Sequence, residues 1–176
     1  MPTRTVIESE RLVLREFSDV DSSFILKLLN TEGWLKYISN KHQVNTIEQA
    51  TSYIQNTLEK AYLNNGFGLW RVSLKPHDTS IGMCGLVQRP FLADVDIGFA
   101  FLPAYHKCGY GLEAATATLN YARHVLHKQR IAAITVKENE PSVRLLEKMG
   151  FSFEKIISSP TDVDPLQLFI KNFEQF

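Results

Sequence analysis

Short segments in which apolar residues alternate with polar ones, or run together, recur along the chain and predict β-strands. RLVLREF at residues 11–17 alternates apolar and charged positions, as a strand with one buried face does. Six later segments have the length and apolar content of strands, namely FGLWRVSL (67–74), SIGMCGLVQ (80–88), DVDIGFAFL (94–102), IAAITVK (131–137), FSFEKII (151–157) and LQLFIKN (166–172). The residues KPHDT favour a turn that makes the first two of these a hairpin, and the last segment is expected at an edge of the sheet.

Four segments show the helical spacing of apolar residues, namely residues 22–30, 46–61, 112–126 and 141–148. The second opens with Thr46 and Gln49, which match the capping box of a helix start. The last is followed by Gly150, a residue suited to the left-handed conformation that closes helices. Strands and helices alternate without a low-complexity linker or a repeat. The predicted fold class is therefore α/β (α+β), in a single domain spanning residues 1–176.

The overall composition supports a globular domain and indicates no charged partner. The chain has 176 residues, of which 44% are hydrophobic and 22% charged, the profile of a folded domain with a full core. Nineteen basic residues balance nineteen acidic ones, so the charge favours neither nucleic acid nor an anionic membrane. We therefore expect no nucleic acid and no membrane among the partners. A monomer or homodimer is also expected.

The cysteines, the histidines and the N-terminus bear on metal binding and on location. Cys84 and Cys108 are too few for a disulfide framework, and the sequence has no pair of Cys-x-x-Cys units to hold zinc. His124 and His127 lie three residues apart on one helix without a third ligand at matching spacing, so we expect no metal. The N-terminus is charged where a secretory peptide would be apolar, and no later segment is apolar enough to span a bilayer. A cytoplasmic protein is expected.

Two glycines stand just ahead of the third predicted helix, in HKCGYGLEA at residues 106–114. The first amides of a helix have no partner within it and carry partial positive charge, so the backbone alone can hold a phosphate group there. Gly109 and Gly111 would let the backbone approach such a group closely. Glycines of this kind also occur in plain strand-to-helix turns, so the loop by itself leaves both interpretations open.

The same glycines also match the Gly-x-Gly-x-x-Gly/Ala pattern of dinucleotide-binding units, which would indicate a nicotinamide-dependent oxidoreductase. That pattern expects an acidic residue about 20 positions further on. Here that region reads RIAA from Arg130, and the nearest acid is Glu138. Pro103 to Cys108 also separate the strand from the first glycine by more residues than the tight turn of the motif allows. A nucleotide-triphosphate loop is excluded because no Gly-Lys-Ser/Thr follows.

Three separated segments together resemble one protein family. VDIGFAFLPAYHKCGYGLEA, ENEPSVRLLEKMGF and ESERLVLREFSDVD are similar to the GNAT superfamily of acetyl-CoA-dependent N-acetyltransferases, in particular to its branch that resembles the ribosomal-protein acetylases RimJ and RimL. The resemblance extends from about residue 8 to residue 157. It implies a central mixed, mostly antiparallel sheet with helices on both faces. The sheet would be splayed between its fourth and fifth strands, at 94–102 and 131–137, to admit acetyl-CoA as cosubstrate.

The resemblance places the coenzyme against two parts of the chain. The pyrophosphate loop of the family begins at His106, where relatives carry Arg or Gln. The main-chain amides expected to surround the pyrophosphate belong to Lys107, Cys108, Gly109, Tyr110, Gly111 and Leu112. The backbone of Phe99, Ala100 and Phe101 would pair with the pantetheine arm. An amide there would point at the thioester oxygen, where negative charge develops during attack.

A second pair of residues is implicated by the start of the fourth helix. Asn139 matches the asparagine by which the family contacts the coenzyme, and Ser142 completes the Asn-x-x-Ser arrangement of the RimL-like branch. Many relatives have a tyrosine later in this helix as the acid that protonates the departing thiolate, but this chain has Leu146 there. A thiol with a pKa of about 8.5 leaves readily without a strong acid. Ser142, directly or through water, is the expected acid, and a purely structural capping role is the alternative.

The amine acceptor must lose a proton, because alkyl ammonium groups have a pKa of about 10.4 and only the neutral form attacks. Asp96 stands where relatives commonly carry an acidic strand residue, and it shares a face with Gly98 and Ala100. It is therefore the expected base, with Asp94 in reserve. The alternative is a solvated carboxylate at the end of a strand.

We expect an enzyme that moves an acetyl group from acetyl-CoA to a primary amine by direct attack in a ternary complex. The acceptor is a protein N-terminus or a small-molecule amine, and the sequence does not distinguish the two. The missing tyrosine and His106 leave open a non-catalytic acyl-CoA-binding module. A nicotinamide-dependent oxidoreductase is the third alternative.

Overall fold

The computed structural model describes residues 3–38, 43–162 and 164–174, and its strands form one eight-stranded sheet. The strands are β1 Thr5–Glu8, β2 Leu12–Arg15, β3 Leu69–Leu74, β4 Thr79–Val87, β5 Asp96–Phe101, β6 Arg130–Thr135, β7 Ser152–Ile157 and β8 Leu166–Asn172. Their order across the sheet is β1-β2-β3-β4-β5-β6-β8-β7. Every neighbouring pair is antiparallel except β5 and β6, which are parallel. The predicted mixed, mostly antiparallel sheet is confirmed.

Helices cover both faces of this sheet, as predicted. They are α1 Ser22–Leu29, α2 Glu32–Tyr37, α3 Ile47–Tyr53, α4 Lys60–Asn65, α5 Tyr110–His124 and α6 Glu140–Lys148. A π-helical segment, Ile54–Glu59, joins α3 to α4 without a break. The main hydrophobic core lies between the sheet and α5 and α6, and a second core lies between the opposite face and α1 and α3. Thr46 caps α3 as predicted, since its hydroxyl accepts from the Gln49 amide at 3.2 Å.

The prediction that the last segment is an edge strand is wrong. β8 lies between β6 and β7, and β7 forms the edge. The burial of the two strands explains this order. Leu168, Phe169 and Ile170 are buried in succession, so both faces of β8 are covered, whereas most of β7 is exposed. β1 and α2 were not predicted.

The parallel strands β5 and β6 are paired at a single position. Asp96 lies opposite Ala132, and the described residues show no further ladder partner between the two strands. The C-terminal halves of β5 and β6 therefore diverge, which confirms the predicted splay. We call the space between the diverging ends of β5 and β6 the crevice. Helix α5 follows β5 and helix α6 follows β6, so both helices begin at the open end of the crevice.

Candidate active site

The loop between β5 and α5 is shaped by two residues with left-handed backbone conformations. Pro103–Tyr105 forms one 3₁₀ turn after the strand. Lys107 then has φ +59° and Gly109, the N-cap of α5, has φ +82°. The first hydrogen bond of helix α5 runs from the Glu113 amide to the Gly109 carbonyl, at 3.1 Å. The amides of the preceding helical residues Tyr110, Gly111 and Leu112 therefore have no partner within the helix.

The start of α5 meets both walls of the crevice at Gly111. A Cβ at this position would lie 3.6 Å from the Leu145 side chain on α6 and 3.7 Å from the Phe101 ring on β5. The bare backbone of Gly111 thus faces the junction of the three elements. Lys107 and Cys108, the other loop residues expected to surround a pyrophosphate, are exposed. The main chain of the loop is therefore exposed at the mouth of the crevice, and its contact with a pyrophosphate stays a prediction.

Among the residues that the structure describes, the edge of β5 that faces the crevice has backbone groups without a partner strand. The Leu102 amide donates to the Ile81 carbonyl at 2.9 Å, so alternate residues of β5 turn their amides towards β4. The amides of Phe99 and Phe101 consequently point towards β6, which has already diverged. Ala100 lies opposite Met83 with its own amide turned to β4, so its backbone pairs within the sheet, and its side chain packs against the second core.

The His106 side chain forms a hydrogen bond with one of the carbonyl groups of β5 that face the crevice. Its Nε2 lies 2.9 Å from the Phe101 carbonyl oxygen, so the ring donates a hydrogen bond when Nε2 carries the proton. This contact gives the departure from the usual Arg or Gln a structural role, since His106 fixes the end of β5 relative to the loop.

Asn139 and Ser142 both lie at the start of α6. The Asn139 side chain is the N-cap and accepts a hydrogen bond from the Ser142 amide at 3.4 Å. The cap is therefore Asn139, and a capping role for the Ser142 side chain is wrong. Ser142 is half-buried, and its hydroxyl has no hydrogen-bond partner within the described part of the chain. That hydroxyl is available to a ligand.

The helix position that carries tyrosine in many relatives is filled here by a core residue. Leu146 is 1% exposed and belongs to the main hydrophobic core between the sheet and α5 and α6. An acidic hydroxyl is therefore absent from this position, and the surroundings are apolar.

The expected base, Asp96, lies at the closed end of the crevice and is held by an arginine. Its carboxylate is 1% exposed and accepts from the Arg89 Nε at 3.0 and 3.2 Å. Burial raises the pKa of Asp96 to about 6, and the Arg89 guanidinium works in the opposite direction. The reserve candidate Asp94 accepts from the Arg130 Nε at 2.9 Å. Asp96 is thus not the alternative of a solvated carboxylate.

Arg89 was missed by the sequence analysis, although a local signal existed. Asp96 lies opposite Val87 in the β4–β5 hairpin, and Arg89 follows two residues later. A hairpin register worked out from the pattern would have brought the arginine close to the carboxylate. The two histidines considered as a metal pair, His124 and His127, are exposed on α5 and in the segment that follows it.

Two further properties concern metals and membranes. Within residues 3–38, 43–162 and 164–174, no three His, Cys, Asp or Glu side chains are grouped in a way that could hold a metal ion. In the same part of the chain, none of the helices has the length and hydropathy needed to cross a bilayer.

The sheet opens between two parallel strands, beside the start of α5, as the resemblance to acetyltransferases implied. Residues 11–152 match the family model described as an acetyltransferase (GNAT) domain, and the chain belongs to this family. YoaA of Bacillus subtilis, an uncharacterised N-acetyltransferase, is 30% identical over 154 residues, which cover 86% of this chain and 85% of that protein.

Solved structures share the fold. A GNAT-family acetyltransferase from Bacillus anthracis has a TM-score of 0.78 and 25% identity, over 94% of this chain and 97% of the other. The ribosomal alpha-N-protein acetyltransferase RimL in complex with coenzyme A has a TM-score of 0.79 and 13% identity, over 96% and 98% of the two chains. A variant of the spermidine N-acetyltransferase SpeG from Vibrio cholerae has a TM-score of 0.71 and 18% identity, over 92% and 93%. The last two likenesses concern the fold.

Proposed function

We propose that this chain transfers an acetyl group from acetyl-CoA to a primary amine by direct attack within one ternary complex. The observation that carries the proposal is the free backbone edge of β5 next to the unpartnered amides that begin α5. Residues 1–176 would act as a single N-acetyltransferase domain, which the continuity of the sheet from Thr5 to Asn172 supports.

The residues of the crevice fit the coenzyme in chemical type. A diphosphate is an anion, and the amides from Lys107 to Leu112 lie at the positive end of the α5 dipole. The amides of Phe99 and Phe101 supply donors along the strand, in the manner of β-strand addition. Acetyl-CoA supplies the activated thioester, and a donor preset at its oxygen lowers the barrier to attack.

Two side chains are proposed to move protons. Ser142 has a free hydroxyl at the start of α6 and would donate to the departing thiolate, directly or through water. Asp96 would accept the proton of the amine, through water because its carboxylate is buried. With a pKa of about 6, this carboxylate is ionised at neutral pH, as a base requires.

The acceptor is proposed to be a primary amine on a protein N-terminus or a small molecule, in a branch similar to RimJ and RimL. The structural neighbours include the ribosomal alpha-N-protein acetyltransferase RimL and the spermidine N-acetyltransferase SpeG. Enzymes with this fold therefore include ones named for a protein acceptor and ones named for a small-molecule amine. Acceptor loops vary independently of the shared core.

A thiol-release assay tests the proposal. Acetyl-CoA is offered with a panel of amines that includes spermidine, amino acids and N-terminal peptides, and free coenzyme A is measured. We expect release that depends on the amine and the formation of an acetylated amine of matching amount. Coenzyme binding without release above background for any acceptor would favour a non-catalytic module. Stabilisation by NAD with none by coenzyme A would favour an oxidoreductase.

Two variants test the proton-transfer roles. Ser142→Ala is expected to lower kcat by at least about tenfold, whereas Ser142→Thr, which keeps the hydroxyl, retains most of it. Full activity of Ser142→Ala would contradict the acid role.

In the wild type, kcat/KM should fall below about pH 6, where Asp96 takes up a proton. An unchanged pH profile in Asp96→Asn would contradict the base role.

A further inference from the structure

A polar cluster connects the β1–β2 turn to the first turn of α5. The Arg11 Nε donates to Glu113 Oε2 at 2.7 Å, while the Arg11 amide and the Ser9 hydroxyl donate to Glu113 Oε1 at 2.8 and 2.7 Å. Burial raises the pKa of the Glu113 carboxyl, but the hydrogen bonds from Ser9 and Arg11 outweigh it and lower the pKa overall. Glu113 is therefore an ionised, fully engaged anchor for the arginine.

The same arginine also holds the proposed pyrophosphate loop. Arg11 Nη1 donates to the Cys108 carbonyl at 3.2 Å, and the guanidinium lies 4.5 Å from the centre of the Tyr110 ring. Cys108 is the residue between the two left-handed positions, Lys107 at φ +59° and Gly109 at φ +82°. Arg11 thus binds the loop backbone at the residue between its two left-handed positions.

The carbonyl of Cys108 and the amide of Gly109 belong to one planar trans peptide, so they point in opposite directions. A carbonyl held on the Arg11 side keeps the Gly109 amide on the other side, away from Arg11. If this peptide rotated, the carbonyl oxygen would be presented in place of the amide and would repel a phosphate. The hydrogen bond from Arg11 to the Cys108 carbonyl opposes that rotation.

We propose that Arg11 is a positioning residue that locks the Cys108–Gly109 peptide in the orientation that receives a diphosphate. The proposal deepens the proposed function and rests on it for the identity of the ligand. Arg11 also neutralises Glu113, whose carboxylate would otherwise keep its negative charge with only the Ser9 hydroxyl and the main-chain amide of residue 11 as donors. The ion pair is partly exposed, with 45% of the Arg11 side chain accessible, and such pairs contribute little to global stability. Its main effect is therefore on the loop.

Calorimetric titration with coenzyme A tests the lock without any need for turnover. Arg11→Met is expected to raise Kd about tenfold, the loss typical of one charge-assisted hydrogen bond. Arg11→Lys should fail similarly, because one ammonium group cannot replace the fork that reaches both Glu113 and the Cys108 carbonyl. Arg4→Met is the matched control, since Arg4 is 70% exposed and pairs with Glu16. Unchanged Kd in both Arg11 variants would overturn the proposal.

Hydrogen exchange of the ligand-free protein gives a second readout. Arg11→Met should speed amide exchange at residues 106–112, while the control variant should match the wild type. In Arg11→Met/Glu113→Gln, removal of the uncompensated negative charge should lower Kd part of the way back to the wild-type value. A double variant that bound coenzyme A no better than Arg11→Met would contradict the neutralising role.

The choice of acetyl donor separates positioning from general damage. With acetyl-CoA, Arg11→Met should raise KM with little change in kcat, whereas S-acetyl-N-acetylcysteamine, which has no diphosphate, should be used equally by variant and wild type. Equal defects with both donors would overturn the lock. A wild type that bound coenzyme A but transferred nothing would contradict the proposed function alone, whereas a wild type that bound none would overturn both.

Discussion

At the scale of single residues, Gly109 and Gly111 stand two positions apart and have different reasons to lack a side chain. Gly109 has φ +82°, and a Cβ there would also lie 3.3 Å from the Arg11 guanidinium. Gly111 is helical, and its Cβ would make ordinary contacts at 3.6 and 3.7 Å with Leu145 and Phe101. The first position needs the conformational freedom of glycine, and the second does not.

Gly109→Ala is therefore expected to lower the free energy of unfolding by about 1 kcal/mol and to raise the Kd for coenzyme A. Gly111→Ala is the matched control and should keep stability within about 0.5 kcal/mol. Urea unfolding and calorimetric titration measure the two quantities. An equal loss of unfolding free energy in the two variants would contradict the role of the left-handed backbone.

The buried carboxylate of Asp96 makes stability depend on pH. Its pKa is about 6 in the folded protein against 3.8 for an ordinary Asp, so the folded state binds the proton more tightly. Its contribution to folding is largest below pH 3.8 and is lost as the pH rises through about 6. The Asp96→Asn variant has no carboxyl group at this position, so this pH dependence is absent from it. Between pH 4 and pH 7, its unfolding free energy should gain roughly 2 kcal/mol relative to the wild type. Parallel pH profiles in urea unfolding would contradict this.

At the scale of elements, sequence pattern identified the strands and helices that bury a periodic apolar face. The four-residue strand β1 and the six-residue helix α2 escaped because each is too short to show a period. The position of β8 was wrong because strand order depends on which edge a returning chain joins, and residue pattern carries little of that information.

In the candidate site, too, features that are local in sequence could be predicted, whereas contacts between distant residues could not. The loop from Lys107 to Leu112 was predictable because its glycines and the helix that follows are adjacent in sequence. The contact of Arg11 with Glu113 joins residues 102 positions apart, and no local pattern announces it. Such pairs become visible only when the sheet and α5 are assembled.

Helix α6 contributes packing where many relatives contribute an acid. Leu146→Tyr should lower the free energy of unfolding by about 1–3 kcal/mol, because a larger side chain would enter a filled core, and it should not raise kcat. Leu146→Met, which conserves volume, is the control and should cost less than about 1.5 kcal/mol. Thermal unfolding and the thiol-release assay give the two values. A faster, equally stable Leu146→Tyr would contradict the placement of this side chain.

At the scale of the whole molecule, a ligand that binds only the folded state stabilises it by mass action. Coenzyme A at about 100 times its Kd should add about 2.7 kcal/mol, which raises Tm by roughly 5–10 °C for a chain of this size. NAD at the same concentration should leave Tm unchanged. Differential scanning calorimetry makes the comparison, and the reverse order of the two ligands would contradict the proposed function.

In the described part of the chain, the single ladder position at Asp96 and Ala132 leaves β1–β5 and β6–β8 joined by little hydrogen bonding where the crevice opens. Amides along such a seam open more readily than those inside a complete ladder, and proteases act on the opened form. A molecule bridging the seam would close it. If coenzyme A is that molecule, as proposed, limited proteolysis should slow when it is bound, and an equal cleavage rate with and without it would contradict this.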